Sequence, residues 1–250
     1  MKGDLKLSMS IRDDFLNEVF LHFPKMKFWD GSPAEDNRDG ERYDDEDRHK
    51  VFLDKEQWVA RGLLTQEQWY KLTEGIEEFK GLRTPSEFRD KKYCPYPGHF
   101  DEKIKICRFN PVETVRYTEA RQLIDLVNER KFKGVKKYDI IDEGTAGAVV
   151  FLPQGTWDKD GYWDAITDQT EMDYRKFPFA EKELDNYVWY SKDKNSPQHT
   201  RPVGTTKKLL KLPWSGEEIF DPLGNVRIWT KTAWVKNVNA EMHFPLDVEE

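Results

Sequence analysis

The chain has 250 residues, 37% apolar and 35% charged, with 14% aromatic residues that include nine Trp, and a formal net charge of −7. That aromatic content excludes a chain disordered throughout, and the acidic balance argues against broad nucleic-acid binding by the whole surface. The length fits one large domain or two small ones, and no apolar run approaches the ~18 residues of a membrane span.

The first segment, "MKGDLKLSMSIRDDFL", has no apolar core of signal-peptide length, and its acids argue against a transit peptide. Next, Ile11, Phe15, Val19 and Phe23 recur four apart after Ser10 and before Pro24. This predicts a capped amphipathic helix. Residues 34–50 then carry eight acidic and four basic side chains in seventeen positions. After them "LDKEQW" (53–58) and "LTQEQW" (64–69) repeat one pattern. Asp54 and Thr65 read as N-caps, Gln57 and Gln68 as the return partners of capping boxes, and Leu53–Trp58 and Leu64–Trp69 as hydrophobic staples. The first helix would end at Gly62, and the second would run through Leu72, Ile76 and Phe79 to Gly81. Residues 82–110, with Pro85, Pro95 and Pro97, read as loop. A further helix is expected from about Thr118 to Arg130, with Ala120, Leu123, Ile124 and Val127 on one face.

The second half changes character. "YDIID" (138–142) and "AGAVVFLP" (146–153) read as strands around a turn at "GTAG" (144–147). "YVWYS" (187–191) and "NVRIWTKTAWV" (225–235) are further strand candidates, the latter after the turn signal "DPLGN". Residues 153–186 and 191–222 are long and aperiodic, which is unusual inside a compact domain. The expected fold class is therefore α+β. A mainly helical region spans 1–132, and a strand-containing region with long irregular segments spans 133–250, with one continuous domain as the alternative.

Chemistry-bearing motifs are sparse. Residues 35–46 resemble the calcium loop of EF-hand proteins, with Glu35, Asn37 and Asp39 at its first three odd positions, Gly40 at the sharp turn and Glu46 last. They depart from it at Glu35, longer than the usual Asp, and at Arg42, where an aliphatic residue normally packs inward. A solvated loop is the expectation there. Asp158–Gly161 reads as a common turn. Cys94, His99 and Cys107 form a C-x4-H-x7-C spacing, but no fourth ligand accompanies them. Two buried thiols in a reducing, intracellular setting, cytoplasmic or organellar, are expected instead. There is no P-loop, no G-x-G-x-x-G, no H-E-x-x-H and no G-x-S-x-G. No cofactor or metal is expected.

These features point to a non-catalytic structural or accessory subunit of a larger assembly, such as an organellar complex or a virus particle. It would bind other protein subunits through Trp157, Trp163, Trp189 and Trp214 in the aperiodic stretches, because aromatics are enriched in interface cores. The alternatives are a soluble enzyme with its site in the C-terminal half and a calcium-responsive binding module.

Overall fold

The computed structural model describes residues 10–31, 48–131, 138–166, 178–191, 199–232 and 241–244. Strands dominate the N-terminus. Ser10–Asp13 (β1) and Glu18–Phe23 (β2) pair antiparallel, with Ser10 opposite Leu21 and Asp13 opposite Glu18. The reversal sits at residues 14–17, where the Asp13 carboxylate accepts the Leu16 N–H at 2.9 Å and Asn17 takes a φ of 54°. The expected helix over this stretch is thus a hairpin. A spacing of four is a multiple of the strand period as well as close to the helical one, so it does not separate the two.

Met26–Asp30 (β3), His49–Leu53 (β4) and Gln57–Ala60 (β5) follow. β5 covers the expected first capped helix, and Asp54 caps nothing. Its carboxylate serves partners far along the chain. The second capped helix does form, as Gln66–Leu72 (α1). Thr65 Oγ1 accepts the Gln68 N–H at 3.2 Å, and Gln68 Oε1 accepts the Thr65 N–H at 2.8 Å. The helix stops at Leu72, earlier than expected. Ile76 and Phe79 lie beyond it but remain buried beside Trp69. Phe100–Asp101 (β6) and Ile106–Cys107 (β7) make a small hairpin. Tyr117–Lys131 (α2) is the expected helix, and its Leu123 and Val127 join Trp69, Leu72, Ile76 and Phe79 in one core cluster.

Glu143–Phe151 (α3) replaces the expected strand and its "GTAG" turn. Asp142 nucleates it by accepting the Thr145 N–H at 2.7 Å. Its small residues let the neighbouring chain close in: a Cβ on Gly144 would stand 2.5 Å from the Phe244 ring. Thr156–Trp157 (β8) and Trp163–Asp164 (β9) form a hairpin around the Asp158–Gly161 turn. The expected strand 187–191 is instead a short helix, Leu184–Tyr187 (α4), followed by one isolated bridge from Trp189 to Gly224. Leu210–Lys211 (β10) and Glu218–Ile219 (β11) pair antiparallel, and Glu241–Phe244 (β12) comes last. The described part of the expected strand 225–235, residues 225–232, holds no strand.

The helical N-terminal half expected from the sequence is therefore corrected: strands in several sheets dominate, with a few short helices. The three-stranded sheet runs β1-β2-β5, and the five-stranded sheet runs β12-β4-β3-β9-β8. β12 lies parallel to β4, and β9 parallel to β3. The five-stranded sheet thus draws strands from both sides of residues 132–133. Its inner face, with Met26, Phe28, Val51, Leu53, Trp163 and Phe244, forms the main core with Leu21, Phe23, Ala148, Leu152 and Trp214.

Candidate functional site: the outer face and edge of the five-stranded sheet

Side chains alternate across a strand, so burying Met26 and Phe28 turns Lys27 to the opposite face. The same parity continues across the sheet. His243 lies opposite Phe52, Phe52 opposite Lys27, Lys27 opposite Asp164, and Asp164 opposite Thr156. One row of outward residues therefore crosses all five strands, and it gathers titratable groups.

Two linked sets result. In the first, Lys27 Nζ sits 2.8 Å from Asp158 Oδ2 and 3.0 Å from Asp164 Oδ2. The hydrogen bonds to Asp158 and Asp164 raise the Lys27 pKa above its ordinary value. The bond from Lys27, with the backbone N–H of Tyr162, holds the Asp158 carboxyl below the usual range. In the second set, the Tyr162 hydroxyl donates to Asp54 Oδ1 at 2.9 Å, and His243 Nδ1 lies 2.6 Å from Asp54 Oδ2. The bond to Asp54, then burial, pushes the Tyr162 phenol up. The His243 ring stacks on Phe52, with centroids 4.5 Å apart and planes 6° from parallel. Asp54 and Phe52 together fix the imidazole, which leaves Nε2 as its remaining ring nitrogen.

The sheet edge adds an aromatic element. Phe23, Trp214, Trp163 and Trp157 form a continuous ladder from core to surface, with centroid separations of 4.9, 6.1 and 5.6 Å. Its inner members are anchored: the Trp214 indole N–H donates to the His22 carbonyl at 2.9 Å, and that of Trp163 to the Pro153 carbonyl at 2.8 Å. The outer member, Trp157, lies on the edge strand β8 and is 52% exposed.

Of the four Trp residues singled out from the sequence, three thus fall in one ladder, with Trp163 and Trp214 buried and Trp157 at the surface. Trp189 stands apart, half-buried, with the Arg201 guanidinium 5.5 Å from its ring centroid. Cys94 and Cys107 are not two free thiols. They are joined as a disulfide, and no free cysteine remains. His99 is no ligand in that arrangement, since its ring lies between those of Tyr96 and Phe109, at 5.0 and 4.7 Å. The calcium-loop resemblance at 35–46 falls outside the described residues. Among the described residues no group of three or more His, Cys, Asp and Glu is placed to hold a metal ion, and no helix is long and apolar enough to cross a membrane. Sequence reasoning missed Lys27, Asp54, Asp164, Tyr162 and His243. The only local signal was the apolar–polar alternation of 26–29, and the cluster needs the strand register to assemble.

No family model matches the sequence, and no curated protein does. A solved structure does resemble it: PvdO from Pseudomonas aeruginosa, at 16% identity and a TM-score of 0.57, over 91% of this chain and 76% of that one. At that identity the likeness is one of fold.

Proposed function

We propose that the chain is a non-catalytic structural or accessory subunit of a larger multiprotein assembly and that it docks on other protein subunits through the β8 edge. Trp157 carries this reading. A large indole that is 52% exposed sits on an edge strand and is buttressed from beneath by Trp163, 5.6 Å away. A ring held this way loses little freedom on binding, and Trp is the residue most enriched among interface hot spots. Trp163 and Trp214 act in this reading as the support of the docking residue, and Trp189 as a separate, half-buried contact. An organellar lumen that is oxidising suits the disulfide.

The test is copurification from the native source with and without Trp157→Ala. Loss of the hot spot should weaken the assembly about 30-fold or more, equivalent to ~2 kcal/mol, and leave the melting temperature of the isolated chain within a degree or two. Partners retained at full stoichiometry would refute the proposal.

A second reading, an enzyme with its site in the C-terminal half, is favoured by one observation. Asp54 orients His243 as a carboxylate orients a general base. Under that reading His243→Gln abolishes turnover while assembly is untouched.

A further inference from the structure

The hairpin at residues 94–109 has a construction that the proposed docking edge does not use. Its strands β6 and β7 are two residues each, and the turns before it, at 87–89 and 91–93, are single 3-10 turns. Backbone pairing alone holds so short a hairpin poorly. The Cys107 N–H donates to Gln66 Oε1 at 3.1 Å, which ties the β7 end to α1, and the bond between Cys94 and Cys107, 13 residues apart with Cα atoms at 5.5 Å, closes the loop covalently at its other end. The bond is reachable from one side, because Cys94 is half-exposed while Cys107 is fully buried.

The surroundings suit the reduced form as well. Cys107 Sγ lies 3.4 Å from the Asp90 carbonyl oxygen and 3.5 Å from that of Arg89, and Cys94 Sγ lies 3.7 Å from the Asp90 oxygen. A disulfide sulfur has no proton to give these acceptors, whereas a thiol has. The closed loop carries His99 and exposed Tyr96, and the His99 ring lies between that of Tyr96 and that of exposed Phe109, two residues beyond the loop.

We propose that the Cys94–Cys107 bond is a redox-sensitive staple: oxidised, it holds the Tyr96–His99–Phe109 surface in order, and reduced, it releases the 94–107 loop without unfolding the rest of the chain. The reductant is a dithiol. Its thiolate attacks Cys94 Sγ to form a mixed disulfide, and Cys107 leaves as a thiolate and takes up a proton. The second thiol of the reductant then displaces Cys94, which also ends protonated. The protein gains two electrons and two protons, and the dithiol becomes a cyclic disulfide.

The test uses the full chain and dithiothreitol. Thiol titration of the unreduced protein in denaturant should find no free thiol, and two would overturn the proposal. Limited trypsin digestion should then cut after the exposed Lys103 or Lys105 at least tenfold faster once the bond is reduced, with Trp fluorescence and near-ultraviolet circular dichroism nearly unchanged. Equal cutting rates would overturn the proposal, and so would a global loss of tertiary signal on reduction. The double variant Cys94→Ser, Cys107→Ser should be cut at the reduced rate and ignore dithiothreitol. A response of that variant to the reductant would also count against the staple. None of these readouts depends on the docking role of Trp157.

Discussion

At the scale of single residues, environment decides which side chains matter. Trp69 and Trp58 occupy the same place in the repeated sequence pattern, yet Trp69 is 2% exposed, with its indole N–H on the Leu82 carbonyl, and Trp58 is 37% exposed on β5. Trp69→Ala should therefore cost about 3–5 kcal/mol in a denaturant titration, and Trp58→Ala about 1 kcal/mol or less. Asp221 shows the opposite of a satisfied carboxylate. Burial raises its pKa above the ordinary 3.8, against the pull of the Gly204 N–H and Asn225, and its Oδ1 finds no hydrogen-bond partner among the described residues. A raised carboxyl pKa means that the folded state binds the proton more tightly, so this group's contribution to stability falls as pH rises from the unfolded value through the folded one. Asp221→Asn should accordingly stabilise the protein at pH 8 by roughly 1 kcal/mol and have little effect at pH 3. Asn also tolerates the positive φ of 46° found there. Lys27 has the same sign in a different pH range, although here it is the charged form that the fold favours. Its pKa is raised by Asp158 and Asp164, so its stabilisation is complete below its unfolded value near 10.5 and is lost as pH climbs through the folded value. A melting temperature that falls in that alkaline range in the wild type, and less steeply in Lys27→Met, checks this.

At the scale of elements, the sequence was legible wherever the determinants were local. The Thr65–Gln68 capping box and the α2 helix need only neighbours within a turn or two, and both form; of the expected stripe Ala120, Leu123, Ile124 and Val127, the structure buries Leu123 and Val127 in the core. Thr65→Ala should cost about 1 kcal/mol, measured by urea unfolding. Reading failed where distant partners decide. "LDKEQW" has the same local grammar as "LTQEQW", but Asp54 is claimed by Tyr162 and His243, and Gln57–Ala60 by pairing with β2. The Val149 region reads as strand by composition, yet the Asp142 cap and the small residues Gly144, Ala146, Gly147 and Ala148 make it a helix that a neighbour can approach closely. Gly144→Ala should therefore cost about 1–3 kcal/mol by forcing the Phe244 ring aside. The same change in a Phe244→Leu background should cost measurably less, because the two sites share one contact.

At the scale of the whole molecule, the five-stranded sheet could not be inferred from its pieces. Three of its strands, β8, β9 and β12, are only two to four residues long, and β9 and β12 lie parallel to strands far away in the chain. Parallel neighbours leave no hairpin signature in a sequence, and a two-residue strand shows no periodicity. The candidate site inherits that difficulty, since Lys27, Asp164 and His243 meet only through the register. The pairing of β12 with β4 has a consequence for how the protein is made. Asp54 and His243 lie 189 residues apart, and synthesis runs at about 5–20 residues per second. For on the order of ten seconds or more after β4 leaves the ribosome, the strand destined to cover its outer edge does not yet exist. A nascent chain with that edge bare is open to pairing with another copy, so translation that stalls before residue 241 should leave a species that needs a chaperone to stay in solution.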